Sequence, residues 1–245
     1  MVIIGRGMIA SEFKRRNIEN VPALVFASGV ADSSCNSDDE YHREILMLQD
    51  AVDYCISNDL TLFYPSSGGS VYGNDDDLRI ELNQLNPVSA YGMHKVRCEK
   101  LIQNSGAAYI IARLPNIVGG TSNTAQLIPF LFSKAATGNV RIYTNACRDL
   151  LWVEDLVSIA LSCIEIKKRN YIVNIASGVC ISIADIVKYI KEKLDCEIDV
   201  EMVNGGDRQL FSIEKLREIV GYDLSFSKDY PYQVLDKYIE IENLI

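Results

Sequence analysis

VIIGRGMIA, residues 2–10, opens with three apolar residues, follows them with two glycines one residue apart, and then turns to helix formers. The apolar run before Gly5 reads as a short buried strand. Gly5, Gly7 and Ala10 fit a G-x-G-x-x-A turn between a strand and a helix. Glycines there let the backbone bend tightly and approach a pyrophosphate, while the helix N-terminus offers free N–H groups and a positive dipole end. A plain strand–helix turn would use the same residues, so the rest of the chain has to choose between the two.

It does so by alternation. A helix over 7–17 leads to a second strand, VPALVFAS (21–28). The polar stretch ADSSCNSDDE (31–40) can cap a helix over about 39–57, with Ile45, Leu46, Leu48, Val52 and Ile56 on its inner side. LTLFY (60–64) is a third strand, residues 65–89 are mostly loop, and a helix then runs to about Asn104. YIIARL (109–114) follows as a fourth strand. Beyond it come a helix over 124–137, a strand at VRIYT (140–144), a helix over 153–166 and a strand at YIVNIA (171–176). A helix over 182–194, a strand at EIDVEMV (197–203) and helices over 212–220 and 231–243 close the chain. Strands that alternate with helices predict an α/β fold, a doubly wound, mostly parallel Rossmann-like sheet.

Bulk properties narrow the function. With 24 basic against 33 acidic residues the formal net charge is −9, which speaks against nucleic acid as a partner. No apolar run approaches the roughly 18 residues of a membrane span, and the apolar start is too short for a signal peptide. The seven cysteines are scattered singly with no CxxC, which reads as buried thiols of a cytoplasmic protein, without disulfides or zinc. The only histidines are His42 and His94, too few for a His-based triad or metal site, so no metal is expected.

SAYGMHK (89–95) carries the chemistry. Tyr91 and Lys95 are four apart, one above the other on a helix. A nearby cation favours a phenolate, so Tyr91 could exchange a proton near neutral pH. The same spacing recurs at Tyr189 and Lys193, where it reads as the wet edge of an amphipathic helix. YPSSGGSVYG (64–73) follows a strand, and its glycines allow close approach to a ligand.

Six segments in order, GRGMIA, FASGV, SSGGSVYG, YGMHK, ARLPNIVG and RDLLWVEDL, resemble the extended short-chain dehydrogenase/reductase family of nucleotide-sugar epimerases, dehydratases and ketoreductases. YIVNIASG (171–178) is similar to the strand and turn that follow in that family. The resemblance implies NAD or NADP as cofactor, near Gly5, Arg6, Gly7, Met8, Ile9, Ala27, Ser28 and Gly29. It implies Tyr91 as proton carrier, and Lys95 as the cation that lowers its pKa and binds the nicotinamide ribose. Ser67 and Ser70 flank Gly68, which stands where the family has its catalytic Ser or Thr; of the two, Ser70 is preferred. Asn116, Arg148 and Arg208 are the implied contacts to a nucleoside-diphosphate sugar, although Arg148 could instead pair with Asp149 or Asp155. The loop lacks the Asp-Glu pair of the family's dehydratases. The implied layout is a cofactor domain over 1–120 and 148–175, and a small substrate lobe over 121–147 and 176–245. A homodimer through the Tyr91 helix would be in keeping with the family.

One departure is large. Between the first helix and FASGV the family fits two more strands and a helix, and here only a few residues remain. The expected sheet is therefore two strands short, with its first strand near an edge and the adenosine side of the cofactor site without its usual wall. The activity implied is epimerisation by hydride removal and return. The alternatives are a ketoreductase that consumes NADPH, and a non-catalytic binder of dinucleotide or nucleotide-sugar.

Overall fold

The computed structural model describes residues 1–74, 76–120, 123–166 and 168–244. Residues 121–122, the expected start of the second lobe, lie outside them. The chain runs β1 (Val2–Ile4), α1 (Met8–Arg15), β2 (Ala23–Phe26), α2 (Asp38–Ser57), β3 (Thr61–Ser67), α3 (Gly68–Val71), α4 (Ala90–Gln103) and β4 (Ala108–Leu114). It continues with β5 (Asn116–Val118), α5 (Leu127–Thr137), β6 (Asn139–Tyr143), β7 (Cys147–Trp152), α6 (Val153–Glu165) and β8 (Tyr171–Asn174). The last elements are β9 (Cys180–Ser182), α7 (Ile183–Leu194), β10 (Asp199–Val203), α8 (Glu214–Val220) and α9 (Tyr230–Ile241).

The main sheet has the order β1-β2-β3-β4-β8, parallel throughout. Its strands are apolar at nearly every position because helices cover both faces. On one face Val25, Phe63, Ile110 and Ala112 pack with Phe13 of α1 and with α6. On the other, Leu24, Phe26, Leu62, Tyr64 and Ile111 pack with Ile45, Leu48 and Val52 of α2 and Cys98 and Ile102 of α4. Each such buried aliphatic or aromatic side chain contributes roughly 1.5–3 kcal/mol.

α2 is well specified locally. Ser37 caps it by accepting the Glu40 N–H, and Asp38, Asp39 and Glu40 sit at the positive end of its dipole. Its buried stripe is Glu44, Ile45, Leu48, Ala51, Val52 and Cys55. Leu46 and Ile56, expected inside, are about half exposed because they fall off that 3.6-residue stripe.

β1 pairs only with β2 and so forms an edge. α1 lies against α6, where Arg15 bonds Glu154 and Arg16 bonds Ser158. α1 and α2 are thus on opposite faces, yet they connect strands that step the same way across the sheet. The two crossovers therefore have opposite hands. α6, on the face of α1, brings the chain from β4 to β8 in that same direction, so the links through α1 and α6 share one hand and those through α2 and α4 the other. Residues 16–22 run straight from helix to neighbouring strand, with no outer strands to be reached in the usual sense.

Three strands go unread in the sequence. β5, β7 and β9 form a small sheet, parallel at β5–β7 and antiparallel at β7–β9, while β6 pairs with β10. The cysteines also differ from expectation. Cys147 and Cys180 form a disulfide between β7 and β9, with Cα atoms 5.8 Å apart, because antiparallel neighbours bring those positions together. Among the described residues, no helix is long and apolar enough to cross a membrane.

Candidate active site

A cleft of about 1430 Å³ lies over the C-terminal ends of β1 to β4, the end of a parallel sheet where ligands bind. Gly5, Arg6, Gly7, Met8, Ile9, Ala27, Ser28, Gly29, Ser67, Ser70, Tyr91, Lys95, Asn116 and Arg148 all line it. The first turn is built for close approach. Gly5 has φ +134°, and a side chain there would overlap the Ala27 carbonyl. At Gly7 nothing lies within 4 Å of where a Cβ would stand. Gly7 caps α1 without a side-chain bond and the first turn has no acid, so its amides and positive dipole end face the cleft as an anion site needs.

The end of the cleft that carries Tyr91 comes from β3, α3 and α4. Ser89 caps α4 by accepting the Gly92 N–H. Gly92 lets the serine loop press onto the helix, since a Cβ there would come 2.5 Å from the Ser70 carbonyl oxygen. Ser67 Oγ lies 3.3 Å from Ser70 Oγ. Gly68 has a structural cause: a Cβ at that position would enter the Phe211 ring. Phe211 thus fills the space a side chain at 68 would use, and the two neighbouring hydroxyls remain in the cleft.

Lys95 stands beside Tyr91, with Nζ 5.5 Å from the ring centroid, as the spacing predicts. Its hydrogen bonds go elsewhere: Nζ donates to Glu44 Oε1 at 2.7 Å and lies 3.3 Å from Tyr64 Oη. Burial works against the Lys95 ammonium, but Tyr91 and Glu44 beside it hold its pKa above the ordinary value. Glu44 also meets His94 Nε2 at 2.9 Å and accepts the Val30 N–H at 2.7 Å. Burial opposes its charge as well, yet His94 and Lys95 keep the carboxyl well below the usual carboxylate range. Glu44 was invisible in the sequence because it lies 51 positions from Lys95 on a helix that reads as ordinary. The Tyr189–Lys193 pair has the same spacing but is far more exposed, and both its members bond Asp236.

The 207–209 segment sets the surroundings of Arg148 and Arg208. Arg148 pairs with Asp207, at 2.9 Å, and not with Asp149 or Asp155. Asp149 instead accepts from Ser177 and Gly178 and pins the turn after β8. Arg208 does not line the cleft; its backbone bridges to Cys147 and its N–H is taken by Asp76. The neighbouring Gln209 takes the expected place, 3.5 Å from both Asn116 and the Gly69 carbonyl. The extended backbone at 207–209 sends alternate side chains to opposite sides, so Asp207 and Gln209 point in where Arg208 points out.

Known proteins resemble this chain in sequence and in fold. The curated relatives include a dTDP-4-dehydro-6-deoxyglucose reductase of Escherichia coli, 26% identical over 144 residues that cover 55% of this chain and 46% of that one. The chain spans about half the length of the curated relatives it matches. Among solved structures, MoeE5 in complex with UDP-glucuronic acid and NAD superposes with a TM-score of 0.79 at 20% identity, covering 98% of this chain and 85% of that one. RMD from Pseudomonas aeruginosa complexed with NADPH gives 0.78 at 16% identity, covering 98% and 97%. At such identities these likenesses establish the fold. A family model described as NAD dependent epimerase/dehydratase matches residues 6–176, well over half of the sequence, and the chain belongs to that NAD-dependent epimerase/dehydratase family.

Proposed function

We propose that the protein is an NAD(P)-dependent reductase of a keto nucleotide-sugar. The observation that carries this reading is the shared cleft, in which Tyr91, Lys95, Ser67 and Ser70 stand beside the glycine turn of β1. A nicotinamide dinucleotide, when bound, supplies the hydride. The Gly5–Ile9 turn would hold its pyrophosphate on the α1 amides, and Ala27, Ser28 and Gly29 would lie along its ribose side. Ser67 and Ser70 would hydrogen-bond the sugar carbonyl oxygen, and Tyr91 Oη would give it a proton as it becomes a hydroxyl. Asn116, Gln209 and Arg148 would hold the sugar and its diphosphate, in keeping with a substrate lobe made from 121–147 and 176–245.

Reduction is favoured over epimerisation by the edge position of β1. An epimerase retains its dinucleotide through each cycle, and an adenosine site open along one side suits exchange at every turnover. Epimerisation is the second reading, supported by the likeness to an ADP-L-glycero-D-manno-heptose-6-epimerase of Brachyspira hyodysenteriae, 25% identical over 196 residues.

The test is to incubate the protein with NADH or NADPH and a panel of 4-keto nucleoside-diphosphate sugars, following reduced-nicotinamide absorbance and the sugar product together. Stoichiometric cofactor loss supports the reductase, and sugar interconversion without net loss supports the epimerase. Dinucleotide binding without either leaves only a binding protein. Tyr91→Phe should lower turnover by about 10²–10⁴-fold with binding retained; full activity in that variant would remove Tyr91 from the mechanism.

A further inference from the structure

We propose that Glu44 is a positioning residue that sets the acidity of Tyr91. Its carboxylate neutralises the ammonium that faces the Tyr91 ring and so keeps the phenol protonated as an acid. This deepens the reading of Tyr91 as a proton donor and rests on it.

The geometry is specific. Glu44 is fully buried, and each of its oxygens has two partners: Oε1 takes Lys95 and the Tyr64 hydroxyl, and Oε2 takes His94 and the Val30 amide. The Cys98 thiol is 3.9 Å away. Lys95 is therefore held between the Glu44 carboxylate and the Tyr91 ring, 2.7 Å from one and 5.5 Å from the centre of the other. To Tyr91 the Lys95–Glu44 pair presents a dipole where a lone ammonium would present a full charge. The titratable groups around this pair are Tyr91, His94 and Cys98 on α4, Tyr64 on β3, and Tyr41 on α2, whose ring stacks on His94 and whose proton Tyr91 helps to retain. Gly29 belongs to the same arrangement, since a Cβ there would come 2.6 Å from both Glu44 Oε1 and Lys95 Nζ. The buried pair thus reaches the cleft wall directly under one of the residues expected to meet the cofactor.

The sign of the effect does not depend on which group loses its proton first. Removing a negative charge weakens the hold of every neighbour on its proton. Replacing Glu44 by Gln must therefore move the Tyr91–Lys95 titration to lower pH, by about one unit for a charge at this range.

The experiment is an ultraviolet tyrosinate titration. The difference between the wild-type curve and that of Tyr91→Phe isolates Tyr91 from the chain's 13 tyrosines. The same difference is then taken in the Glu44→Gln background. The expected result is a Tyr91 midpoint lower by about one unit, with the high-pH limb of the reductive rate moving the same way. Glu44→Asp, which keeps the charge but withdraws it by one methylene, should fall between. An unmoved or raised midpoint in Glu44→Gln overturns the proposal, even if the variant is less stable, because a purely structural role predicts that outcome. If Glu44→Gln does not fold, the Asp variant decides: a lowered midpoint supports the proposal, and one at or above wild type overturns it. Since the titration needs no substrate, a midpoint that moves in a protein without reductase activity keeps this inference and sinks the functional reading. Turnover with an unmoved midpoint does the reverse.

Discussion

Gly68 shows what one missing side chain does to the site. Phe211 lies where its Cβ would be, so Gly68→Ser should crowd a buried ring and destabilise the fold by about 1–3 kcal/mol. Denaturant unfolding measures this, and Phe211→Leu in the same chain should recover part of the loss. Sequence reading could see that a glycine stood in the serine's place, but not why, because Phe211 is 143 positions away. Tyr91 and Lys95 were legible because their relation is local, one turn of helix. Glu44 and Gln209 were not, since each meets its partner only through tertiary folding. The place of Arg208 outside the cleft was hidden for a related reason: only the register of the 207–209 segment tells which of three adjacent residues point inward.

Between elements, the joint between α2 and α4 is ionic. Glu44 on one helix meets His94 and Lys95 on the other, in a wall that excludes water. Because the folded-state pKa of Glu44 lies below its ordinary value of about 4.5, its stabilising contribution is fully present above that value. It is lost as pH falls through the folded value. The unfolding free energy of the wild type should therefore drop on acidification below about pH 4.5 more steeply than that of Glu44→Gln, as followed by denaturant titrations at a series of pH values. A Gln variant with the same acid slope as the wild type would refute this account of the joint. The long elements could be placed from the sequence because their periodicity is sustained over several turns or a fully buried strand. β5 and β9 span only three residues each, too few for a period, and β7 lay hidden inside a segment read for its charges. The Cys147–Cys180 bridge belongs to the same omission, for without the β7–β9 pairing nothing in the spacing brings those two residues together.

On the scale of the whole molecule, β1 leaves one edge of the main sheet unpaired. β1 is three residues long and bonded on one side only, whereas β3 pairs with β4 from Thr61 to Ser67 and also with β2 over Thr61 to Phe63. Hydrogen exchange should therefore be fast at residues 2–4 and slow in β3. Saturating NADPH should slow it through residues 2–10, and an unchanged pattern there would place the dinucleotide elsewhere. The alternating architecture was legible because each half of the pattern repeats. The hand of the first crossover was not, because sequence does not say which face a single helix covers.

The docking of α1 on α6 has a consequence for a chain that is synthesised from N- to C-terminus. Arg15 meets Glu154 across 139 positions, so α1 cannot complete its docking during synthesis until α6 has also emerged. Although made long before α6, α1 must remain incompletely anchored until that helix is there to meet it.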